Sequence, residues 1–271
     1  MIGAIIGDIA GSRFEWHNHK SKDFEFFTSG CHFTDDSVMT IAVAKAIMES
    51  RNFYGEEVNL PENTVKWMQK IGRHYPHCGY GGNFYQWIFS DNPKPYGSYG
   101  NGAAMRVSAA GDIADSLDEA QQIARDVTEV THNHTESVKA AEAVASAIFL
   151  ARHQNSKEEI RQYIRDNYYW IDFTLDEIRR DYKFDVSCQG SVPQALEAFF
   201  ESDGFEDAIR NAISIGGDSD TIAAITGGIA EAYYGVPAWM ADKAIGKFNY
   251  HMREIIQDWY INGHVHRKSA V

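Results

Sequence analysis

Thr34-Asp35-Asp36-Ser37-Val38-Met39-Thr40-Ile41-Ala42-Val43-Ala44-Lys45-Ala46-Ile47 reads as the opening of a helix, and that reading decides the fold. Met39, Ala42, Val43, Ala46 and Ile47 recur three and four residues apart, the spacing of one face of a 3.6-residue period. Thr34 stands where an N-cap belongs, and Asp35 and Asp36 fall in the first turn, where the helix dipole favours carboxylates. The same period returns at Val138, Ala141, Val144, Ala145 and Ile148, whereas period-two runs are scarce. Ser116 with Glu119, Ser156 with Glu159, Thr174 with Glu177 and Ser191 with Gln194 read as capping boxes. The expectation is an all-α protein.

The chain has six prolines and no Ser- or Gly-rich linker, so one compact helical domain over 1–271 is expected. Irregular chain is expected at about 11–33, about 73–104 and about 184–190. The middle stretch holds Gly79, Gly81, Gly82, Gly97, Gly100 and Gly102, and a long glycine-rich segment within a helical domain marks a functional or disordered loop.

At 271 residues the chain can bury a core without metals or disulfides as staples. Cys31, Cys78 and Cys188 are odd in number and widely spaced, which indicates neither a disulfide framework nor a zinc site and fits a cytoplasmic protein. The apolar start Met1-Ile2-Gly3-Ala4-Ile5-Ile6 is broken by Asp8 and has no basic segment before it, which argues against a secretory signal. No apolar run approaches the roughly 20 residues of a membrane span, so a soluble protein with no membrane partner is expected. A net charge of −13 opposes nonspecific binding to nucleic acid or anionic lipid. A phosphate-bearing ligand would have to be held locally, by metals, backbone amides or a single arginine.

Two acidic clusters about 180 residues apart carry the chemistry: Thr34-Asp35-Asp36-Ser37 and Gly216-Gly217-Asp218-Ser219-Asp220-Thr221. Their carboxylates and hydroxyls are hard oxygen donors suited to Mg²⁺ or Mn²⁺, and two ions could share one cleft if the fold joins the clusters. Read alone, the first cluster is ordinary helix capping far more often than a ligand set, and a tightly packed core helix with a polar cap accounts for the second as well. Behind the second cluster lie Ala223, Ala224, Gly227, Gly228 and Ala230. Glycine costs about 1 kcal/mol in a helix interior, so this small face implies that another backbone, or a ligand, comes close.

Gly97-Ser98-Tyr99-Gly100-Asn101-Gly102-Ala103-Ala104-Met105-Arg106 runs from loop into helix and reads as a phosphate cradle or a structural turn. His132 and His134 stand at another helix entrance, as ligand contacts or caps. Glu129-Val130-Thr131-His132 is a lone Glu-x-x-His with no second copy, so a di-iron bundle is set aside. Trp16-His17-Asn18-His19 lacks zinc-protease spacing, and no Gly-x-Ser-x-Gly elbow is present.

The ordered set Gly7-Asp8-Ile9-Ala10-Gly11-Ser12 with Glu15, Phe33-Thr34-Asp35-Asp36-Ser37, Tyr99-Gly100-Asn101-Gly102-Ala103-Ala104-Met105-Arg106, Thr131-His132 and Gly216-Gly217-Asp218-Ser219-Asp220-Thr221 resembles the ADP-ribosylglycohydrolase family. The resemblance implies an orthogonal helical fold with a binuclear Mg²⁺ or Mn²⁺ centre. Thr34, Asp35 and Asp36 would supply one ligand set, Asp218, Asp220 and Thr221 the other, and Glu15 a further ligand or gate. Gly97, Ser98, Tyr99, Gly100 and Asn101 would hold the diphosphate of ADP-ribose, with His132 along the ligand. Serine stands at Ser37 and Ser219, where the family commonly has threonine. The implied reaction is hydrolysis of the glycosidic bond between ADP-ribose and an acceptor, with Glu15 and Asp36 as candidate catalytic carboxylates. The partner would be an ADP-ribosylated protein or small ADP-ribosyl conjugate, met by a monomer. A binuclear phosphoester or nucleotide-metabolite hydrolase and a silent ADP-ribose-binding module are the alternatives. Acceptor choice would lie in rim loops at about 16–32 and about 73–99, where Tyr80, Phe84, Tyr85, Trp87 and Tyr96 serve as rim, adenine platform or core.

Overall fold

A computed structural model describes residues 1–51 and 59–265, with side chains to 261. The parts of the expected 1–271 domain at 52–58 and 266–271 lie outside the described residues. Helices account for the regular structure: α1 (Ile2–Gly11), α2 (Asp35–Ser50), α3 (Leu60–Gly72), α4 (Gly82–Phe89), α5 (Ser108–Ile113), α6 (Leu117–Glu129), α7 (Thr135–Arg152), α8 (Lys157–Asn167), α9 (Leu175–Arg179), α10 (Cys188–Phe200), α11 (Phe205–Ser214), α12 (Ser219–Tyr234), α13 (Ala238–Ile245) and α14 (Tyr250–Val265). Among the described residues no strand forms, only an antiparallel bridge between Gly100 and Ser187. The all-α expectation holds. No described helix is long and apolar enough to cross a membrane.

The centre of the molecule is the α1–α12 pair. Gly3, Gly7 and Gly11 repeat every four residues and so share one face of α1. A methyl group at Gly7 would lie 2.0 Å from the Ala223 carbonyl oxygen, one at Gly3 2.2 Å from that of Gly227, and one at Gly11 2.6 Å from the Asp220 Cα. In return, a methyl at Gly227 would lie 2.1 Å from the Gly3 oxygen. The two backbones therefore touch, which is what the small face of α12 implied. Every residue of α12 from Ser219 to Ala230 is buried, and around it pack α5, α7, α10 and α11. α2 is also buried almost all round its first three turns, beyond the single stripe seen in the sequence, and lies between α1, α3 and α14. At the far end of α1, the Met1 ammonium and the Gly3 amide both donate to Glu231 Oε2, at 2.6 and 2.7 Å. Tyr260 donates to the other Glu231 oxygen and accepts from the Ile2 amide, so α14 closes this end.

Local signals mostly hold, with three corrections. Ser156–Glu159 and Thr174–Glu177 form reciprocal capping boxes. Ser116 accepts from the Glu119 amide, but the Glu119 carboxylate turns to the Asp115 amide and to Arg51. Ser191 is no cap: α10 begins a turn earlier, capped by Ser187 on the Gly190 amide. The Ser191 hydroxyl is instead buried between Asn101 and the Asp185 carbonyl. The third correction is α4, which interrupts the stretch expected to be irregular; Phe84, Trp87 and Ile88 bury its inner face despite the leading Gly81-Gly82.

Replacing Gly7 by alanine forces the α1 and α12 backbones apart, and a loss of about 3 kcal/mol is expected in denaturant unfolding. Gly81→Ala, whose methyl would meet nothing within 4 Å, is expected to stay within about 0.5 kcal/mol.

Candidate active site

Three helix ends converge: the last turns of α1 and the first turns of α2 and α12. Their meeting point is Asp8, a fully buried carboxylate. It accepts from the Thr34 amide at 2.9 Å, the Thr34 hydroxyl at 2.7 Å, the Ser37 amide at 3.1 Å and the Ser37 hydroxyl. Asp8 thus caps α2 from another helix, using donors that a helix start leaves unsatisfied. It was not among the candidate site residues. Its signal was a lone acid inside an otherwise apolar helix.

Asp36 lies one turn into the same cluster. Its Oδ2 accepts from the Thr221 hydroxyl at 3.2 Å, while its buried Oδ1 has no protein partner. Oxygens of Asp8, Asp36 and Asp220 approach within 4.8 Å of one another, and those of Glu15, Asp218 and Asp220 form a second such group sharing Asp220. The two acidic clusters of the sequence therefore meet. Thr34 and Thr221 come with them, their hydroxyl protons directed at Asp8 and Asp36. Asp35 is half-buried on the cleft side, with its amide tied to the Cys78 carbonyl at 2.8 Å.

The turn into α12 is held from outside. Gly216 and Gly217 have φ of 70° and 74°, left-handed values that favour glycine. A methyl at Gly217 would lie 2.4 Å from the Tyr182 ring. Gly217 donates its amide to Asn18 Oδ1, and Lys20 spans the Tyr182 and Ile215 carbonyls. Asp218 caps nothing with its side chain; it accepts from Asn101 Nδ2 at 2.6 Å.

Burial and mutual repulsion act on every carboxylate here. Asp36 and Asp220 are pushed well above the ordinary aspartate value by burial and then by neighbouring aspartates. Asp8 and Asp218 are raised by burial, against the hydrogen bonds that lower them. Burial, then Asp8, takes Asp35 to about 8. Burial, then Asp218 and Asp8, takes Glu15 to about 7. Among the described residues no lysine or arginine pairs with any of the six. Hard oxygen donors packed without a counter-charge, one of them unpartnered, fit divalent cations.

A cleft of about 560 Å³ opens from this cluster. Glu15, Asp35, Asp36, Asp218, Asp220 and Thr221 form one end, and Ser98, Gly100, Asn101 and His132 line the cleft beyond. Gly97 and Tyr99 do not reach it. The Gly97 amide donates to Asn133 Oδ1, and Tyr99 is exposed beside His134. The amides of Gly100 and Asn101 are also engaged, by Ser98 Oγ and the Val186 carbonyl. Of the aromatic candidates, Phe84, Tyr80 and Tyr96 line the cleft, Trp87 is buried, and Tyr85 is exposed against Phe89.

His132 is buried, and its Nδ1 lies 2.6 Å from the Thr131 hydroxyl, which accepts from Arg106 Nη2 at 2.6 Å. Arg106 is completely buried, with the Phe84 ring 5.6 Å away. Burial and this guanidinium hold His132 well below the ordinary imidazole value. The ring is therefore neutral, Nδ1 accepts, and Nε2–H is the donor on the side of Gly102. His134, by contrast, is the N-cap of α7.

An all-helical protein whose helix ends gather acids at one end of a cleft is the class these features define. The ADP-ribosylglycohydrolase family model matches residues 1–262, and the chain belongs to that family. It is 25% identical to ADP-ribosylhydrolase ARH3 of Homo sapiens, over 87% of this chain and 84% of that one. It is 24% identical to ADP-ribosylarginine hydrolase Tri1 of Pseudomonas putida (strain GB-1), over 96% of this chain and 76% of that one. A solved structure described as an ADP-ribosylglycohydrolase-related protein complex superimposes with a TM-score of 0.68 at 20% identity, covering 94% of each chain.

The raised carboxylates set a pH dependence. Glu15 and Asp35 rise from their ordinary values of 4.5 and 3.8 to about 7 and about 8, so between those limits the folded state binds more protons than the unfolded one. Stability then falls as pH rises. In chelator, the thermal midpoint is expected to drop from about pH 5 to about pH 8, and added Mg²⁺ or Mn²⁺ to reverse most of the loss at the upper end.

Proposed function

We propose that this chain hydrolyses the glycosidic bond between ADP-ribose and an acceptor, a modified protein side chain or related ADP-ribosyl conjugate, and releases ADP-ribose. The observation that carries the reading is the cleft itself: massed carboxylates at one end, and beyond them a polar wall of Ser98, Asn101 and His132. Family membership and the relatives named ADP-ribosylhydrolases support it.

Two divalent cations, Mg²⁺ or Mn²⁺, are proposed to be held by Asp36, Asp218 and Asp220 with Thr34, Asp35 and Thr221, and with Glu15 as a further ligand or gate. Asp8 joins this set on its position against Asp36 and Asp220. When bound, such ions neutralise the cluster and supply Lewis-acid orientation of hydroxyls and water. The protein's own groups do the rest. Glu15, half-buried where the cluster meets the cleft, is the candidate to take or return a proton. Asp36 is the other candidate, since its buried Oδ1 has no protein partner. The negative field of the cluster favours positive charge developing at the anomeric carbon. His132 Nε2–H donates to the ligand, and of the Gly97 to Asn101 segment Ser98, Gly100 and Asn101 line the part of the cleft proposed to receive its diphosphate. The substrate is proposed to be met by a monomer in the cytoplasm, and the net charge of −13 disfavours nonspecific binding to nucleic acid or anionic membrane.

Product analysis tests the reaction. Intact ADP-ribose should appear from an ADP-ribosylated peptide and should be lost in chelator; AMP with ribose 5-phosphate would replace this reading by diphosphate cleavage. Glu15→Gln and Asp36→Ala are each expected to lower kcat by about 100-fold or more. A variant at full activity would remove that residue from the mechanism.

A further inference from the structure

Arg106 is a buried cation without a counter-ion. It has no exposed surface, it lines the cleft, and among the described residues no carboxylate pairs with it. Its Nε and Nη1 have no hydrogen-bond partner. Only Nη2 is engaged, donating to the Thr131 hydroxyl at 2.6 Å and standing 3.4 Å from His132 Nδ1. A guanidinium taken out of water this way is costly. Its one committed nitrogen leads, through Thr131, to a ring that lines the same cleft.

The geometry points to Arg106 and Thr131 as positioning residues for the proposed reaction: acting through His132, they hold its ring so that Nε2–H faces an acceptor atom of the ligand. This rests on the glycohydrolase reading above, in which His132 contacts the ligand. Arg106 can only donate, so Thr131 Oγ accepts from it and keeps a single proton to give. That proton can go to His132 Nδ1 at 2.6 Å or to the Thr128 carbonyl at 3.4 Å. The shorter bond requires an unprotonated Nδ1. The opposite tautomer would aim Nδ1–H toward Arg106 Nη2 and push the Thr131 proton onto the longer bond. The backbone holds the relay in place as well. The Thr131 and His132 amides both donate to the Thr128 carbonyl, at 3.1 and 2.9 Å, and the Thr131 carbonyl accepts from the Tyr96 amide at 3.0 Å. The Phe84 and Tyr96 rings flank the imidazole, with centroids 6.4 and 5.7 Å away. On its far edge, methyls at Gly100 and Gly102 would lie 3.7 and 3.4 Å from Nε2, so bare glycines leave that nitrogen room for a ligand atom. A cation behind the ring also strengthens Nε2–H as a donor.

The test reads the ring and the ligand separately, on the Mg²⁺-loaded protein with nitrogen-15-labelled histidine. The imidazole shifts of His132, identified by their loss in His132→Gln, are expected to report the neutral Nε2–H form in the wild type and in Thr131→Ser. Thr131→Val and Arg106→Gln are each expected to give a mixture of the two neutral forms. The calorimetric Kd for free ADP-ribose is expected to rise about tenfold in those two variants and less than about threefold in Thr131→Ser. If Arg106→Gln does not fold, Thr131→Val against Thr131→Ser decides alone. An unchanged ring in a folded Thr131→Val or Arg106→Gln protein, a serine variant as weak as the valine one, or a changed ring at unchanged Kd would each overturn the relay while leaving the hydrolase reading intact. A wild-type enzyme that neither binds nor frees ADP-ribose defeats both.

Discussion

Backbone contact between α1 and α12 is the constraint on which the rest depends. Residues with any side chain at Gly3, Gly7 or Gly227 would separate these helices, and separation would move Asp8 away from Asp220. The glycines therefore set the distances within the acidic cluster from the core. Their cost in helix propensity, about 1 kcal/mol each, is offset by the dispersion and close packing that two touching backbones allow. The site is positioned by rigid helix ends, and its tolerance for displacement is correspondingly small.

A cluster of buried acids works against folding. Each carboxylate loses hydration, and the neighbours repel one another, so the metal-free protein carries stored electrostatic stress at the centre of its fold. Partial relief comes from Asp8, whose four donors sit at the start of α2, and from the Asn101 and Thr221 bonds. Stability is given up where the site needs charge, and the surrounding alanine- and isoleucine-rich core makes that tolerable.

Much of this was legible in the sequence, for local reasons. Helical period and caps are written into neighbouring residues, so α2, α7, α8 and α9 could be anticipated from their own segments. The acidic clusters were visible, but whether they met was a question of tertiary structure about 180 residues wide. Asp8 escaped because its partners belong to another helix; nothing adjacent in sequence signals a cap donated from 26 residues away. Ser191 misled for the complementary reason, since a serine three residues before glutamine reads as a box although its hydroxyl is committed to Asn101. α4 was masked by glycines that start the helix where glycine usually ends one.

Asn101 connects the two halves of the cleft through one amide. Its Nδ2 donates to Asp218 and to Ser191 Oγ, while its own backbone amide is held by Val186. Any occupant that draws Asn101 toward itself strips Asp218 of a donor and strengthens that carboxylate as a base and a cation ligand. By thermodynamic reciprocity, a cation at Asp218 would then make the loop easier to recruit. If the proposed ligand and cation sites are as placed above, this amide would link them, and their affinities measured separately would not add.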